Sequence, residues 1–233
     1  MDRAAPVKPE PRLAGITPFT SIDFPGRLAA VVFLQGCPWR CPYCHNPQMQ
    51  PRQGGAVGPS WQDALAWLET RRGLLDGVVL SGGEPLAQAG VSQAVAQLRR
   101  LGLAVGMHTG GAVPTRLAAT LPELDWVGFD FKAPFEDYAT CAGAAPRAGP
   151  AARRSLELLI ESGLEFEVRT TVDASLHDAA SLKRMRASLL ALGVEEWWLQ
   201  PRRDEQGRTC PHAGALARQM AESCQGVRVR GLD

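Results

Sequence analysis

The sequence is short of net charge and of long apolar runs. Its 25 lysines and arginines nearly balance 24 aspartates and glutamates, which leaves a formal net charge of +1. Because both signs are scattered along the chain, nothing favours nucleic acid or a membrane surface as a partner. No apolar run approaches the roughly 20 residues that span a bilayer, and residues 1–11 lack the apolar core of a signal peptide. We therefore expect a cytoplasmic protein.

Histidine and cysteine are also scarce. The four histidines, at positions 45, 108, 177 and 212, are too dispersed to predict a histidine metal site. Three of the six cysteines, Cys141, Cys210 and Cys224, lie far apart without a CxxC pair. In a reducing compartment we expect each of these three to be a free thiol rather than half of a disulfide.

The other three cysteines stand within eight residues. Cys37, Cys41 and Cys44 are separated by three and then two residues, directly after an apolar run of strand length. Soft thiolates in such a tight loop can converge on zinc, copper(I) or an iron–sulfur cluster. A cubane cluster normally takes four thiolates, so three would leave one iron open. Structural zinc needs a fourth ligand, and His45 adjoins Cys44 too closely to be a good one. We predict an iron–sulfur centre, with a zinc site and a disulfide as alternatives.

This loop resembles that of the radical S-adenosylmethionine (SAM) superfamily, which has the same cysteine spacing and an aromatic residue, here Tyr43, just before the third cysteine. Residues 15–26 and 43–47 are similar to the activating proteins of glycyl-radical enzymes, most of all those of anaerobic ribonucleoside-triphosphate reductase. The resemblance covers about residues 13 to 200. It implies a 4Fe-4S cluster held by the three cysteines, SAM on the open iron, and a flavodoxin- or ferredoxin-type electron donor.

Strand-like and helix-like segments alternate along the chain. The strand candidates are residues 28–34, 77–80, 104–108, 126–131, 166–172 and 196–199; the helix candidates are one beginning after Ser60 and then 91–101, 114–120, 150–162 and 178–192. Such alternation implies right-handed βαβ crossovers and a parallel sheet. Six units are fewer than the eight of a closed barrel. We therefore expect an α/β fold, an open partial (β/α)6 barrel, which the resemblance also implies.

We divide the chain into three parts. Residues 1–12 form a proline-rich lead, residues 13–200 a radical SAM domain, and residues 201–233 a tail packed on the same domain. In the tail we expect a short helix near 213–224 and an edge strand over residues 227–230.

Several candidate ligand residues fall just after predicted strands, where parallel α/β folds bind ligands. Gly82, Gly83, Glu84 and Pro85 follow the second strand. The glycines let the backbone approach a ligand, and the carboxylate could bind an ammonium group. The resemblance implies that this turn holds the amino group of SAM, whereas turn chemistry alone would make it an ordinary loop.

The third strand ends in residues 108–111. Thr109 matches the threonine of a monovalent-cation site in pyruvate formate-lyase activating enzyme, so the resemblance implies a role in cofactor binding. His108 replaces the acidic residue of that site, which puts the cation in doubt. A lone histidine at a strand end is more often a packing residue than a ligand.

Charged residues follow on the fourth and fifth strands. Strand alternation places Asp130 and Lys132 on one face, as a ligand site or as a surface ion pair. The resemblance implies that these two residues and Arg169 contact the ribose and carboxylate of SAM, and a guanidinium suits a carboxylate by its bidentate geometry. His45 and Asn46 match the family residues beside the adenine, although Asn46 before Pro47 could simply form a turn.

The resemblance implies an enzyme that cleaves SAM reductively and makes a glycyl radical on a partner, first of all anaerobic (class III) ribonucleoside-triphosphate reductase. No general acid or base is needed, so we assign no catalytic residue beyond the cofactor ligands. Six βα units with short loops leave little chain to enclose a small molecule, which favours a protein substrate. The alternatives are an activator of another glycyl-radical enzyme such as pyruvate formate-lyase, a small-molecule enzyme such as 7-carboxy-7-deazaguanine synthase, and a non-catalytic zinc or interaction protein.

Overall fold

The computed structural model describes residues 10–53 and 58–232, so most of the predicted proline-rich lead lies outside the described residues. The strands are β1 Leu13–Thr20, β2 Ala29–Leu34, β3 Gly77–Gly82, β4 Ala104–Thr109, β5 Trp126–Asp130, β6 Phe166–Val172, β7 Trp197–Pro201 and β8 Val227–Val229. The α-helices are α1 Trp61–Glu69, α2 Val91–Arg100, α3 Pro114–Thr120, α4 Tyr138–Cys141, α5 Ala148–Ser162, α6 Ala179–Ala191 and α7 Pro211–Ser223.

All eight strands form one sheet in chain order, from β1 at one edge to β8 at the other. Every neighbouring pair from β2 to β8 is parallel, and β1 pairs antiparallel with β2. Within the described chain the two edges do not pair with each other, so the sheet stays open. The predicted open partial barrel is therefore confirmed, with all six predicted strands, and β8 confirms the predicted edge strand. The division at residues 12 and 200 stays a prediction.

Strand β1 is an addition that the sequence pattern does not predict. It contains Gly15 and Pro18, which are depleted in strands, and most of it is only partly buried. Its pairing with β2 is interrupted by two register shifts. A strand of this kind lacks the apolar run or clean alternation that sequence reading depends on.

Two of the helices begin at residues whose side chains cap the first turn. Ser60 accepts a hydrogen bond from Asp63 N at 3.0 Å, and the Asp63 carboxylate accepts one from Ser60 N at 3.3 Å, which makes the predicted capping box before α1. Asp178 and Ser181 form a second capping box before α6. No helix among the described residues combines the length and the apolarity needed to cross a bilayer.

The helices cover one face of the sheet, and a smaller apolar cluster fills the other face near the N-terminal ends of the strands. Phe24, from the β1–β2 connection, is 2% exposed and stacks on Trp126 at 5.8 Å between ring centroids. A Cβ at Gly77 would lie 3.0 Å from the Phe24 ring, and one at Gly106 3.4 Å from it. Residues 15–26, which contributed to the family resemblance, thus reach the end of the sheet opposite the cysteine loop.

Candidate functional site

The cysteine loop leaves the C-terminal end of β2 and closes on itself through main-chain hydrogen bonds. Gly36 N donates to Met49 O at 2.8 Å, and Cys37 N donates to Gln50 O at 3.0 Å. The side-chain amide of Gln35 donates two further hydrogen bonds, to Gln48 O and Pro51 O, where the loop returns towards β2. Because the loop is closed in this way, Cys37, Cys41 and Cys44 stay within one short arc of the chain. All six cysteines are free thiols, as predicted for Cys141, Cys210 and Cys224.

The three thiols are donors of the soft type that an iron–sulfur centre takes, and two of them are protonated more readily than an ordinary thiol. Cys37 is 8% exposed, and burial together with the nearby Glu84 raises its pKa to about 12. Burial also raises the pKa of Cys41, while the positive charge of Lys132 lowers the pKa of both thiols. Within residues 10–53 and 58–232, no three cysteine, histidine or acidic side chains are arranged to hold a single metal ion.

Tyr43 presents a buried hydroxyl at this loop. The residue is 6% exposed, and its hydroxyl lies beside Cys41 without a hydrogen bond of ordinary geometry to any described residue. A buried polar atom without a partner is uncommon and costly. A group bound at the cysteines would give the hydroxyl an acceptor, so this orphan atom supports the fit of a cluster and its ligand to the loop.

His45 and Asn46 make their contacts with different parts of the chain. The exposed His45 makes a hydrogen bond with the backbone of Arg203, after β7, and burial and the charge of Arg202 lower its pKa. Asn46 accepts hydrogen bonds from Met49 N and from the Gln48 side chain. These contacts make Asn46 a turn former, and the adenine contacts expected for both residues stay predictions.

The Gly-Gly-Glu-Pro turn after β3 packs directly against the cysteine loop. Gly82 has φ +110°, and Glu84 N donates to Gly36 O at 3.0 Å. A Cβ at Gly83 would overlap Gly36 O and lie 2.8 Å from Met49 O. The missing side chains thus let this turn pack on the backbone of the cysteine loop, and the expected approach of the same turn to a ligand stays a prediction.

Glu84 is 1% exposed and holds this turn to the end of β4. Its carboxylate accepts hydrogen bonds from Thr109 Oγ1, from Gly110 N at 2.9 Å and from Leu86 N at 3.1 Å. Leu86 belongs to the short 3-10 turn that begins at the buried Pro85. Three of the roughly four acceptor positions of a carboxylate are thus used inside the protein. Glu84 and Thr109 are therefore seen here as structural partners, and amino-group binding at the turn stays a prediction.

Trp39 joins the cysteine loop to β4 and to Lys132, a role that spacing did not predict. It is 3% exposed, and its amide donates to Cys37 Sγ at 3.5 Å. The Lys132 ammonium lies 5.4 Å from the centroid of the indole ring, and a Cβ at Gly110 would overlap that ring. The position of Trp39 between Cys37 and Cys41 is the sequence feature that could have indicated this role.

Asp130, Lys132 and Arg169 form one charged cluster on the sheet face opposite the helices. Asp130 and Arg169 are register partners on β5 and β6, and Arg169 Nε donates to Asp130 Oδ1 at 2.6 Å. Lys132 Nζ lies 3.5 Å from Asp130 Oδ2. The predicted shared face is confirmed. The side chains of Lys132 and Asp130 are 17% and 33% exposed, so this ion pair is partly buried and differs from the fully solvated surface pair of the alternative interpretation.

The charges in this cluster hold each other ionised. Burial opposes ionisation of Asp130, but Arg169 and Lys132 keep its pKa well below the ordinary value. Burial likewise disfavours the charged form of Lys132, and Asp130 and Cys41 raise its pKa above the ordinary value. The cluster therefore presents a net positive charge that suits a carboxylate ligand.

His108 behaves as the predicted packing residue. It is 7% exposed and packs edge-on against Trp126, and its Nε2 lies 3.0 Å from Asp23 O and 3.2 Å from Arg169 Nη1. Burial and the charge of Arg169 lower its pKa to about 3, so the imidazole is neutral.

Two residues, one six and one 45 positions after Lys132, fix the backbone of Lys132, and neither was predicted. Tyr138 Oη accepts a hydrogen bond from Lys132 N at 3.1 Å. His177 Nδ1 accepts one from Asp173 N, so its Nε2 carries the proton and donates to Lys132 O at 3.0 Å. Both side chains are at most 2% exposed. No local motif marks them, because their roles depend on the β6–α6 loop and α4 meeting at β5.

Residues 31–173, more than half of the chain, match the Radical SAM superfamily. A protein of Methanocaldococcus jannaschii that carries the provisional name glycyl-radical enzyme activating enzyme is 31% identical over 131 residues. These make up 54% of this chain and 52% of the relative, so the chain spans about half the length of that protein. The pyruvate formate-lyase-activating enzyme of Clostridium pasteurianum is 28% identical over 185 residues, 77% of this chain and 76% of the relative. The crystal structure of QueE from Escherichia coli superimposes with a TM-score of 0.62 at 16% identity, over 95% of this chain and 94% of that one.

Proposed function

Because the chain belongs to the radical SAM superfamily, we propose that it is an activating enzyme that makes a glycyl radical on a partner enzyme. The observation that carries this proposal is the cysteine loop with its orphan Tyr43 hydroxyl, beside the cationic Lys132. The names of the Methanocaldococcus and Clostridium relatives support a glycyl-radical partner.

In this proposal Cys37, Cys41 and Cys44 would hold a 4Fe-4S cluster, and Lys132 and Arg169 would hold the carboxylate of SAM beside it. When bound, the cluster and SAM supply a one-electron cleavage that yields methionine and a 5′-deoxyadenosyl radical, which can remove hydrogen from a glycine Cα. The protein's own contribution is binding, orientation and exclusion of water.

Each part of the site has a distinct task in holding the ligand. Lys132 and Arg169 offer charge-assisted hydrogen bonds to a carboxylate, and Asp130 orients both cations. Trp39 shields Lys132 on one side and donates its amide to Cys37. Removal of a hydrogen atom from carbon moves no proton to a protein base, so the lack of an assigned acid or base is consistent with this chemistry.

The partner we propose is anaerobic ribonucleoside-triphosphate reductase, on the similarity of residues 15–26 and 43–47 to the activators of that enzyme. Pyruvate formate-lyase is the second candidate, favoured by the name of the Clostridium relative. Three free thiols besides the cluster ligands, at Cys141, Cys210 and Cys224, suit a reducing compartment, which favours the cytoplasm.

The test is electron paramagnetic resonance on anaerobically reconstituted, dithionite-reduced protein. We expect a 4Fe-4S signal that changes when SAM is added, is lost in Cys41→Ala and persists in the control Cys210→Ala. Addition of each candidate partner should then produce a glycyl radical on one of them. Zinc without a cluster signal would overturn the enzyme proposal, and a radical on pyruvate formate-lyase alone would overturn the choice of reductase.

A further inference from the structure

A groove of about 550 Å³ lies on the outer side of the cysteine loop. Its walls are Pro38 and Trp39 of that loop, short apolar residues that follow β3 and β4, and the start of α5. The groove thus borders the cysteine loop through Pro38 and Trp39, and none of Asp130, Lys132 and Arg169 lines it.

The groove is positively charged. Its described lining residues include Arg52, Arg116 and Arg147 and no aspartate or glutamate. Arg116 is anchored, because its Nη1 donates to Leu86 O and Ala87 O, both at 2.8 Å. Arg52 and Arg147 are exposed, and among the described residues neither side chain has a hydrogen-bond or ion-pair partner. The N-terminus of the 15-residue α5 also faces the groove and adds its partial positive charge.

Trp39 separates the groove from the charged cluster. The same indole lines the groove and carries the Lys132 ammonium 5.4 Å from its centroid. An occupant of the groove therefore approaches the cysteine loop but does not touch a ligand held by Lys132. A hydrogen atom passes only between groups in contact, whereas an electron can cross a layer of protein atoms. The geometry favours an electron donor over the substrate enzyme at this surface.

We propose that this groove is the docking surface for the electron donor, a small redox protein with an acidic face around its cofactor. The inference rests on the proposed function, since it assumes a cluster at the cysteine loop. In the transfer the donor would be oxidised by one electron and the cluster that Cys37, Cys41 and Cys44 would hold would be reduced by one, with no bond formed or broken at the groove. Complementary charge would mainly raise the rate of encounter and lose effect at high salt.

The experiment compares Arg147→Glu with the matched control Arg218→Glu, an exposed arginine of α7, the helix that packs on β7 and β8. A glutamate at position 147 sits next to the N-terminus of α5, where negative charge favours the helix, so the variant should fold. The probe is reduced flavodoxin. Its affinity for the reconstituted protein and the rate at which it reduces the cluster are both measured at low and high salt.

We expect Arg147→Glu to weaken flavodoxin binding by roughly tenfold at low salt, as reversal of an interfacial charge does, and to slow reduction by a similar factor. The double variant Arg52→Glu/Arg147→Glu should bind flavodoxin more weakly still, and Arg218→Glu should weaken binding by less than about twofold. Formation of 5′-deoxyadenosine with dithionite, which needs no docking, should be unchanged in all three variants.

If Arg147→Glu and Arg218→Glu lose affinity for flavodoxin equally, or if neither loses any, the proposal that the groove is the docking surface is overturned. Weaker binding of the glycyl-radical enzyme in place of flavodoxin would assign the groove to the substrate and overturn it as well. Failure of the proposed function is seen separately, because the wild-type protein would then form no deoxyadenosine with dithionite.

Discussion

Asp130 is the residue on which the charge balance of the site depends. It stands between two cations, Arg169 and Lys132, that have little access to water. A buried ion pair adds little net stability, but loss of one partner leaves the other charges uncompensated. The three residues are therefore best understood as a unit in which the carboxylate sets the direction of both cations.

Asp130→Asn should lower the free energy of unfolding of the apoprotein at pH 7 by about 2 kcal/mol, the cost of breaking a buried pair reduced for a side chain that is one-third exposed. Urea unfolding measures this. The exposed pair of Glu196 and Arg228 offers the control Glu196→Gln, which we expect to cost under about 0.5 kcal/mol. Equal effects of the two substitutions would contradict the compensating role.

The pH dependence has a definite sign. Arg169 and Lys132 hold the folded-state pKa of Asp130 below that in the unfolded chain, although burial opposes this. The ionised carboxylate therefore stabilises the fold above about pH 4, and this contribution is lost as the pH falls below that value. Wild-type stability should decline more steeply than that of Asp130→Asn from about pH 5 downward; parallel curves would refute the assignment.

At the scale of elements, the turn after β3 and the cysteine loop act as one packed unit. Gly83 N donates to Leu34 O at 2.9 Å, and Glu84 N donates to Gly36 O. The glycines are needed for this approach of two backbones. Motif reading assigns them to a ligand, whereas the structure shows that they first shape the loop that presents the cysteines.

Gly83→Ala should therefore separate the turn from the loop. We expect a loss of about 2–3 kcal/mol in the free energy of unfolding from overpacking, together with poor cluster reconstitution. Gly15→Ala is the matched control, because nothing lies within 4 Å of a Cβ there and its φ is not positive. Calorimetry and iron analysis on both variants check this, and a stable Gly83→Ala that binds iron normally would show that the packing is not required.

Across the whole molecule, the candidate site lies at the C-terminal ends of the parallel strands. An apolar plug, made by Phe24, Trp126 and their buried neighbours, lies near the N-terminal ends. In this plug Phe24 packs against Trp126, Gly77 and Gly106. The main-chain oxygen of the preceding residue, Asp23, contacts His108. Because the cysteine loop lies at the far end of the strands, the plug should stabilise the barrel without taking part in cofactor binding.

Phe24→Ala should cost about 3–4 kcal/mol, the usual penalty of a buried aromatic residue replaced by alanine. Phe19→Ala is the control, because Phe19 is 58% exposed and its loss should cost little. Thermal unfolding gives the stability, and the cluster signal of folded Phe24→Ala should keep the wild-type form. A changed cluster signal would mean that the two ends are coupled.

The sequence by itself determined the strands from β2 to β8, the helices between them other than the short α4, and the cysteine loop, because apolar periodicity and ligand spacing are local properties of the chain. It also placed Asp130 and Lys132 on one face, since strand alternation is equally local. It did not determine β1, whose glycine and proline hide the strand pattern, or the contacts that Tyr138, His177 and Trp39 make with Lys132. Only the tertiary structure decided those, because the contacts of Trp39 and His177 join segments far apart in the chain, and that of Tyr138 depends on the turn that brings α4 back to Lys132. It also decided that Glu84 and the glycines beside it are occupied by the protein itself, since only close packing shows which polar groups and spaces are already filled.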